Sequence, residues 1–254
     1  MPLPTPDPDA PLLLSNVRVV LCQTSHPGNI GACARAMKTM GLDRLLLVKP
    51  KYFPHPEADA MASRATDLLA RAHVCAGLEE ALQGTVFAVA STARNRDLSH
   101  PVLTPRAAAA RMIEEARHGP VALVMGAEKY GLTVEEVNRC SVIATVPANP
   151  EYASLNLAAA VQLFAYELRL AALDPAPMQQ HFAPASHEDL ERFYGHLEQT
   201  LLDVGFLDPS TPKRLMQRMR RLFARARVER EELNILRGIL AAAQEAARKG
   251  RKVD

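Results

Sequence analysis

Between residues 16 and 173 the chain predicts an α/β fold, a parallel sheet with helices on both faces. Three observations carry that expectation. Five short runs, at 17–22, 45–48, 86–90, 121–125 and 142–146, are almost continuously apolar, the pattern of strands buried on both faces rather than one. Stretches with three- and four-residue apolar spacing lie between them, as crossover helices require. Small or hydrogen-bonding residues follow several of the runs, where a strand gives way to a helix, and ligands of open α/β sheets bind at those carboxyl ends.

Taken in order, Val17-Arg18-Val19-Val20-Leu21-Cys22 is the first strand, and 28–40 is a helix ended by Gly41, a residue suited to the left-handed position after a helix. Leu45-Leu46-Leu47-Val48 is a strand closed by Pro50, and 57–72 reads as one helix with Met61, Ala65, Leu68 and Leu69 on a face. Val86-Phe87-Ala88-Val89-Ala90 is the third strand. Thr104 followed by Pro105 marks a helix start for 105–117. Two further strands, 121–125 and 142–146, precede a long helix at 154–173.

The flanks differ in kind. Residues 1–15 open with Pro2, Pro4, Pro6, Pro8 and Pro11 and are expected to be a disordered leader. No apolar run reaches signal-peptide or membrane-span length, so a soluble, cytoplasmic protein with no membrane partner is expected. Residues 174–187, with Pro175, Pro177 and Pro184, read as a linker. From 188 to 250 the strand signal disappears and a helical module follows: 188–204 with Leu190, Phe193, Tyr194, Leu197, Leu201 and Val204 in phase, a helix opened by Thr211-Pro212, and 231–248 with Leu233, Leu236 and Leu240. Cys22, Cys33, Cys75 and Cys140 show neither CxxC spacing nor paired histidines, so reduced thiols and no metal are expected.

The net charge of +2 conceals a segregation. Residues 213–230 hold eight basic residues against Glu229 alone, so the rest of the chain is net acidic. On a helical wheel Arg214, Arg218, Arg221 and Arg225 form a narrow stripe beside an apolar side of Leu215, Met219, Leu222, Phe223 and Ala226. With few acids interleaved, the stripe suits successive phosphates of a nucleic acid better than a merely solvated face.

Three separated segments carry the chemistry. They are Thr24-Ser25-His26-Pro27-Gly28-Asn29-Ile30-Gly31 with Arg35-Ala36-Met37, then Gly126-Ala127-Glu128-Lys129-Tyr130-Gly131-Leu132, then Asn149-Pro150-Glu151-Tyr152-Ala153-Ser154-Leu155-Asn156. Together they resemble the three motifs of the SpoU (TrmH-like) branch of the SPOUT methyltransferases. Phe193-Tyr194-Gly195-His196-Leu197-Glu198-Gln199-Thr200-Leu201-Leu202 and Leu233-Asn234-Ile235-Leu236-Arg237-Gly238-Ile239-Leu240 resemble the helical module of the tRNA-modifying members acting on nucleotide 32 of the anticodon loop. The resemblance covers about 17–240. It departs from the family at Ala127, where an arginine is common.

The resemblance implies a trefoil-knotted α/β domain, a homodimer, tRNA as substrate, and methylation of the ribose 2′-hydroxyl of cytidine or uridine 32 with S-adenosylmethionine as cofactor. It assigns cofactor contacts to Ser91, Thr92, Ala93, Gly126, Val146, Ala153, Ser154 and Leu155, and the catalytic centre to Arg35, Asn29, Glu128, Ser154 and Asn156. From the residues themselves, Ser154 is also a candidate helix cap, and Glu128 either holds Asn29 or sits in a helix's first turn. Gly126, lacking Cβ, is expected to let a ligand approach the backbone. Arg94 and Arg96, on the loop after Ser91-Thr92-Ala93, suit an RNA backbone or are simply solvated. A SpoU enzyme with another tRNA or rRNA target, and a non-catalytic RNA-binding relative, are the alternatives.

Overall fold

The computed structural model describes residues 10–93, 101–173, 184–210 and 213–250. The chain divides into two units, 1–179 and 180–254, each described by itself. The first contains seven strands: β1 (Val17–Cys22), β2 (Arg44–Val48), β3 (His73–Cys75), β4 (Phe87–Ser91), β5 (Val102–Leu103), β6 (Val121–Met125) and β7 (Val142–Ala144). They form one sheet in the order β3-β2-β1-β6-β4-β7-β5, and every pairing is parallel. The helices are α1 (Ala10–Ser15), α2 (Pro27–Met40), α3 (Pro56–Ala62), α4 (Thr66–Ala70), α5 (Leu78–Ala81), α6 (Pro105–Glu115), α7 (Val134–Asn138) and α8 (Leu157–Leu173).

The expected two-sided burial is visible along β1. Val17, Val19 and Leu21 enter a large core shared with α1, α2, α3, α4, α6 and α8, while Val20 and Cys22 enter a smaller one beneath α5 and α7. Arg18 also points to the smaller side, where its guanidinium donates to the carbonyls of Ala81 and Gln83 at 3.1 and 2.6 Å. The register sets Leu21 beside Met125, Met125 beside Ser91, and Ser91 beside Ala144. Four strands therefore end level, and the loops after them leave the sheet side by side.

Several expectations need correction. The leader does not extend to residue 15: Ala10–Ser15 is helical, and Ala10, Leu13 and Leu14 are buried in the large core against α8. Leu13 and Leu14 supply buried apolar area that outweighs the preceding prolines. The helix expected at 57–72 is broken into α3, a 3-10 turn at Ser63–Ala65, and α4, with Ser63 at a positive φ of 55°. The strand expected to reach Val146 ends at Ala144. Residues 1–9 and 174–183, and with them most of the leader and linker, lie outside the described residues. At the linker's far end Ala185 is buried and Ser186 already caps the next helix.

The second unit consists of α9 (His187–Asp203), α10 (Leu215–Ala226) and α11 (Arg230–Gly250). Phe193, Tyr194 and Leu197 of α9 pack with Leu233, Leu236 and Leu240 of α11, and Phe193 meets Phe223 edge-on at 4.7 Å. On α10 the packed stripe is Met216, Met219 and Phe223, whereas Leu222, expected on that side, is 40% exposed. No membrane-crossing helix occurs among the described residues.

Candidate active site

The loops leaving β4 and β7 are tied to each other by two hydrogen bonds. Thr92 N–H donates to the Ala144 carbonyl at 3.1 Å, and the Thr145 hydroxyl donates to the Thr92 carbonyl at 2.9 Å. The loop after β6 folds back on itself. Gly131 N–H donates to the Ala127 carbonyl at 2.7 Å, with Gly131 in the left-handed region at φ 65°. A Cβ on Gly126 would lie 2.1 Å from the Gly131 carbonyl carbon and 2.2 Å from Leu132 N. The glycine is thus demanded by the loop's own backbone as well as being part of the cavity wall.

Between these loops and the segment before α8 lies a cavity of about 370 Å³. All eight residues expected at the cofactor, Ser91, Thr92, Ala93, Gly126, Val146, Ala153, Ser154 and Leu155, line it. Met125, Leu157 and Ala160 add apolar wall that sequence reasoning missed, although each adjoins a quoted segment or lies one turn beyond it. Glu128 and Lys129 line it too.

A hydrogen-bonded chain joins the three motifs. The Glu128 carboxylate accepts from Ser25 N–H at 3.0 Å, the Ser25 hydroxyl at 2.9 Å, His26 N–H at 3.3 Å and the Asn29 amide at 2.8 Å. Asn29 Oδ1 in turn accepts from Asn156 Nδ2 at 3.0 Å, and Asn156 Oδ1 accepts from Ala158 and Ala159 N–H at 2.9 and 3.3 Å. Every orientation follows from the first. A carboxylate only accepts, so Asn29 must turn its NH2 toward Glu128 and its oxygen toward Asn156. Asn156 then turns its own oxygen to the free N–H groups at the start of α8. Partial burial pushes the Glu128 pKa up, but the donors, led by Ser25 N–H and the Asn29 amide, prevail and hold it at about 2.

Two alternatives raised by the sequence are thereby decided. Glu128 lies in the loop before α7, not in a helix's first turn, and it binds Asn29. The cap of α8 is Asn156, and the helix begins at Leu157, so Ser154 is left on the cavity wall.

Arg35 stands apart. It is exposed on α2, six residues beyond Asn29 and so about 120° around the helix, and it does not line the cavity. Its stripe of α2 also carries Gly31, where a Cβ would lie 2.0 Å from the Ala58 carbonyl, and Lys38, which pairs with Asp67. Arg94 and Arg96 fall outside the described residues. Arg214, Arg218 and Arg225 are exposed and Arg221 half-buried on or beside α10. Arg220, outside the stripe, is held by Glu191 at 2.8 Å and stacks over Tyr194 at 4.4 Å.

A separate group of donor atoms, from His73, Cys75 and Glu80, gathers within 4.8 Å at the β3 edge of the sheet. There the Ala76 N–H and His73 hold the Glu80 carboxyl below its ordinary range. The cysteine-spacing argument did not foresee this group, because a strand and the following helix bring it together.

Comparison with known proteins agrees with this geometry. Residues 16–166 match the SpoU rRNA Methylase family, and 188–252 match the family of the tRNA methyltransferase TrmJ C-terminal domain. The class is therefore that of the SpoU methylases. The chain is 50% identical to the tRNA (cytidine/uridine-2′-O-)-methyltransferase TrmJ of Pectobacterium atrosepticum over 236 residues, which is 91% of this chain and 98% of that protein. It is 49% identical to the same-named protein of Escherichia coli K12 over 95% of this chain and all of that one. The crystal structure of TrmJ from Z. mobilis ZM4 superimposes with a TM-score of 0.77 at 36% identity, covering 89% of this chain and 97% of that one. The chain belongs to the TrmJ branch of the SpoU methylase family.

Proposed function

We propose that this protein methylates the ribose 2′-hydroxyl of cytidine or uridine at nucleotide 32 of the tRNA anticodon loop, using S-adenosylmethionine, as a cytoplasmic homodimer. The observation that carries the reading is one cavity lined by the second and third motifs, to which the first motif is tied by the Glu128–Asn29–Asn156 chain. The names of the relatives support tRNA and the 2′-oxygen as the target.

The lining fits the cofactor in three respects. A cavity of about 370 Å³ falls in the range of small-ligand sites. Met125, Val146 and Leu157 offer apolar surface for a purine, while Ser91, Thr92 and Ser154 offer hydroxyls for a ribose. The ionised Glu128 carboxylate on the wall favours a ligand carrying positive charge. Bound there, S-adenosylmethionine supplies a methyl group already activated by its positively charged sulfur.

What remains for the protein is to align the 2′-oxygen and to let its proton leave. A guanidinium offers five N–H donors and no acceptor, so Arg35 serves as a clamp on the target's phosphate, not as the base. A phosphate oxygen or a water then takes the proton. Because Arg35 lies away from the cavity of its own chain, we assign it to the cavity of a second copy across a two-fold interface. The arginine stripe Arg214, Arg218, Arg221 and Arg225 holds the tRNA backbone electrostatically, and Arg94 and Arg96 are assigned the same task.

The test is transfer of tritiated methyl from S-adenosylmethionine to an unmodified tRNA transcript, followed by mapping of the methylated ribose. Label at the ribose of nucleotide 32 is expected. Label on another nucleotide would refute the positional assignment, and none would refute the activity.

A further inference from the structure

The segment Lys49-Pro50-Lys51-Tyr52-Phe53-Pro54-His55 follows β2 and contains two lysines, two aromatic rings and a histidine without a single acid. Neither the motifs nor the arginine stripe includes it. Its position is what makes it informative. Cys22 and Val48 are register partners, so this loop leaves the same sheet end as the first motif, immediately beside it. Two backbone bonds join the two loops: Gln23 N–H donates to the Val48 carbonyl at 2.8 Å, and Lys51 N–H donates to the Thr24 carbonyl at 3.0 Å.

The loop is anchored and yet presents its chemistry outward. Phe53 packs against the large core, and its neighbour Tyr52 is 50% exposed. His55 Nδ1 accepts from Glu57 N–H at 3.2 Å, which caps α3 and fixes the imidazole. The Tyr52 ring lies 6.4 Å from that imidazole, and Lys51 Nζ lies 5.1 Å from the Tyr52 centroid. An exposed aromatic held on a fixed backbone, with an ammonium beside its face, is the pairing by which proteins hold unstacked nucleotides: the ring stacks the base and the cation meets the phosphate. A loop already ordered loses little entropy on binding.

We propose that Tyr52 and Lys51 form a docking platform for an unpaired tRNA nucleotide adjoining the methylated one, with Tyr52 stacking its base and Lys51 contacting its phosphate. The inference rests on the functional reading above and extends it to a substrate contact outside the three motifs. Tyr52→Ala is expected to raise KM for a tRNA transcript about tenfold with kcat little changed, because one stacked base is lost. Tyr52→Phe keeps the ring and should restore the wild-type KM. Lys51→Gln should reduce the slope of log affinity against log salt by about one. Calorimetric affinity for S-adenosylmethionine should be unchanged in all three.

Unaltered KM in Tyr52→Ala together with an unaltered salt slope in Lys51→Gln would overturn the platform while leaving the activity standing. A wild-type protein that transfers no methyl to tRNA would instead overturn the activity, and the platform with it.

Discussion

Replacing Glu128 by glutamine tests the hydrogen-bonded chain with almost no change in shape. The carboxylate accepts four donors, two on each oxygen. A glutamine must put an NH2 where one oxygen stood. At the Oε1 position it would oppose His26 N–H and the Asn29 amide. Turning Asn29 to relieve this would set its NH2 against Asn156, and turning Asn156 would set an NH2 against the free N–H groups of α8. The less costly choice is the Oε2 position, where the Ser25 hydroxyl can rotate to accept but Ser25 N–H cannot. One charge-assisted bond is then lost and one donor is opposed, a cost of about 2–3 kcal/mol. For a unit of this size that lowers the melting temperature by roughly 4–10 °C. Circular dichroism melts at neutral pH measure it. The sign with pH follows from linkage. The folded-state pKa of about 2 lies below the ordinary carboxylate value, so the advantage of glutamate over glutamine is complete above the ordinary range and shrinks as pH falls toward the folded value. Melts that coincide to about a degree at neutral pH, or a gap unchanged on acidification, would refute the argument.

Three more substitutions separate steric from conformational demands on glycine. Gly126→Ala and Gly31→Ala place a Cβ 2.1 Å from the Gly131 carbonyl carbon and 2.0 Å from the Ala58 carbonyl oxygen, with backbone unable to yield, so both are expected in the insoluble fraction on expression. Gly131→Ala meets nothing within 4 Å but keeps φ at 65°, and should fold with a loss of about 1 kcal/mol in denaturant titration. Mixing subunits tests the placement of Arg35. Arg35→Ala and Ser154→Trp, the latter filling the cavity, should each be inactive alone. Dissociated and randomly reassociated together they should recover about a quarter of the wild-type sites if Arg35 serves the partner's cavity. No recovery would return Arg35 to its own chain.

How much of this was legible beforehand depends on where the determining contacts lie. The central strands were readable because each carries its own apolar run, and Gly41 announced the end of α2, where its φ is 82°. The strand β5, two residues long, and the three-residue β3 have no periodicity to display, and their pairing with β7 and β2 is decided by neighbours distant in the chain. Nothing local at Ser63 announces a positive φ, so a single helix was the natural expectation for 57–72. The cavity wall was legible because its residues adjoin strand ends. The bonding of Glu128 was not, since Ser25 and Asn29 lie about a hundred residues away. From sequence the carboxylate could equally have served a helix dipole.

The same chain of bonds narrows where the ribose proton goes. A useful general base has a pKa near the working pH, and Glu128, held at about 2 by four donors, is far too weak to take a proton near neutrality. The asparagines cannot substitute for it. Asn156 spends its oxygen on two backbone N–H groups, and Asn29 turns its oxygen to Asn156. Toward a substrate each keeps an N–H to donate, which can orient a ribose oxygen but not accept its hydrogen. Arg35 offers donors and no acceptor. The motif residues therefore leave the proton to solvent or to the nucleic acid's own phosphate. Substituting a phosphorothioate for the oxygen at that phosphate should accordingly slow methyl transfer more than it weakens tRNA binding.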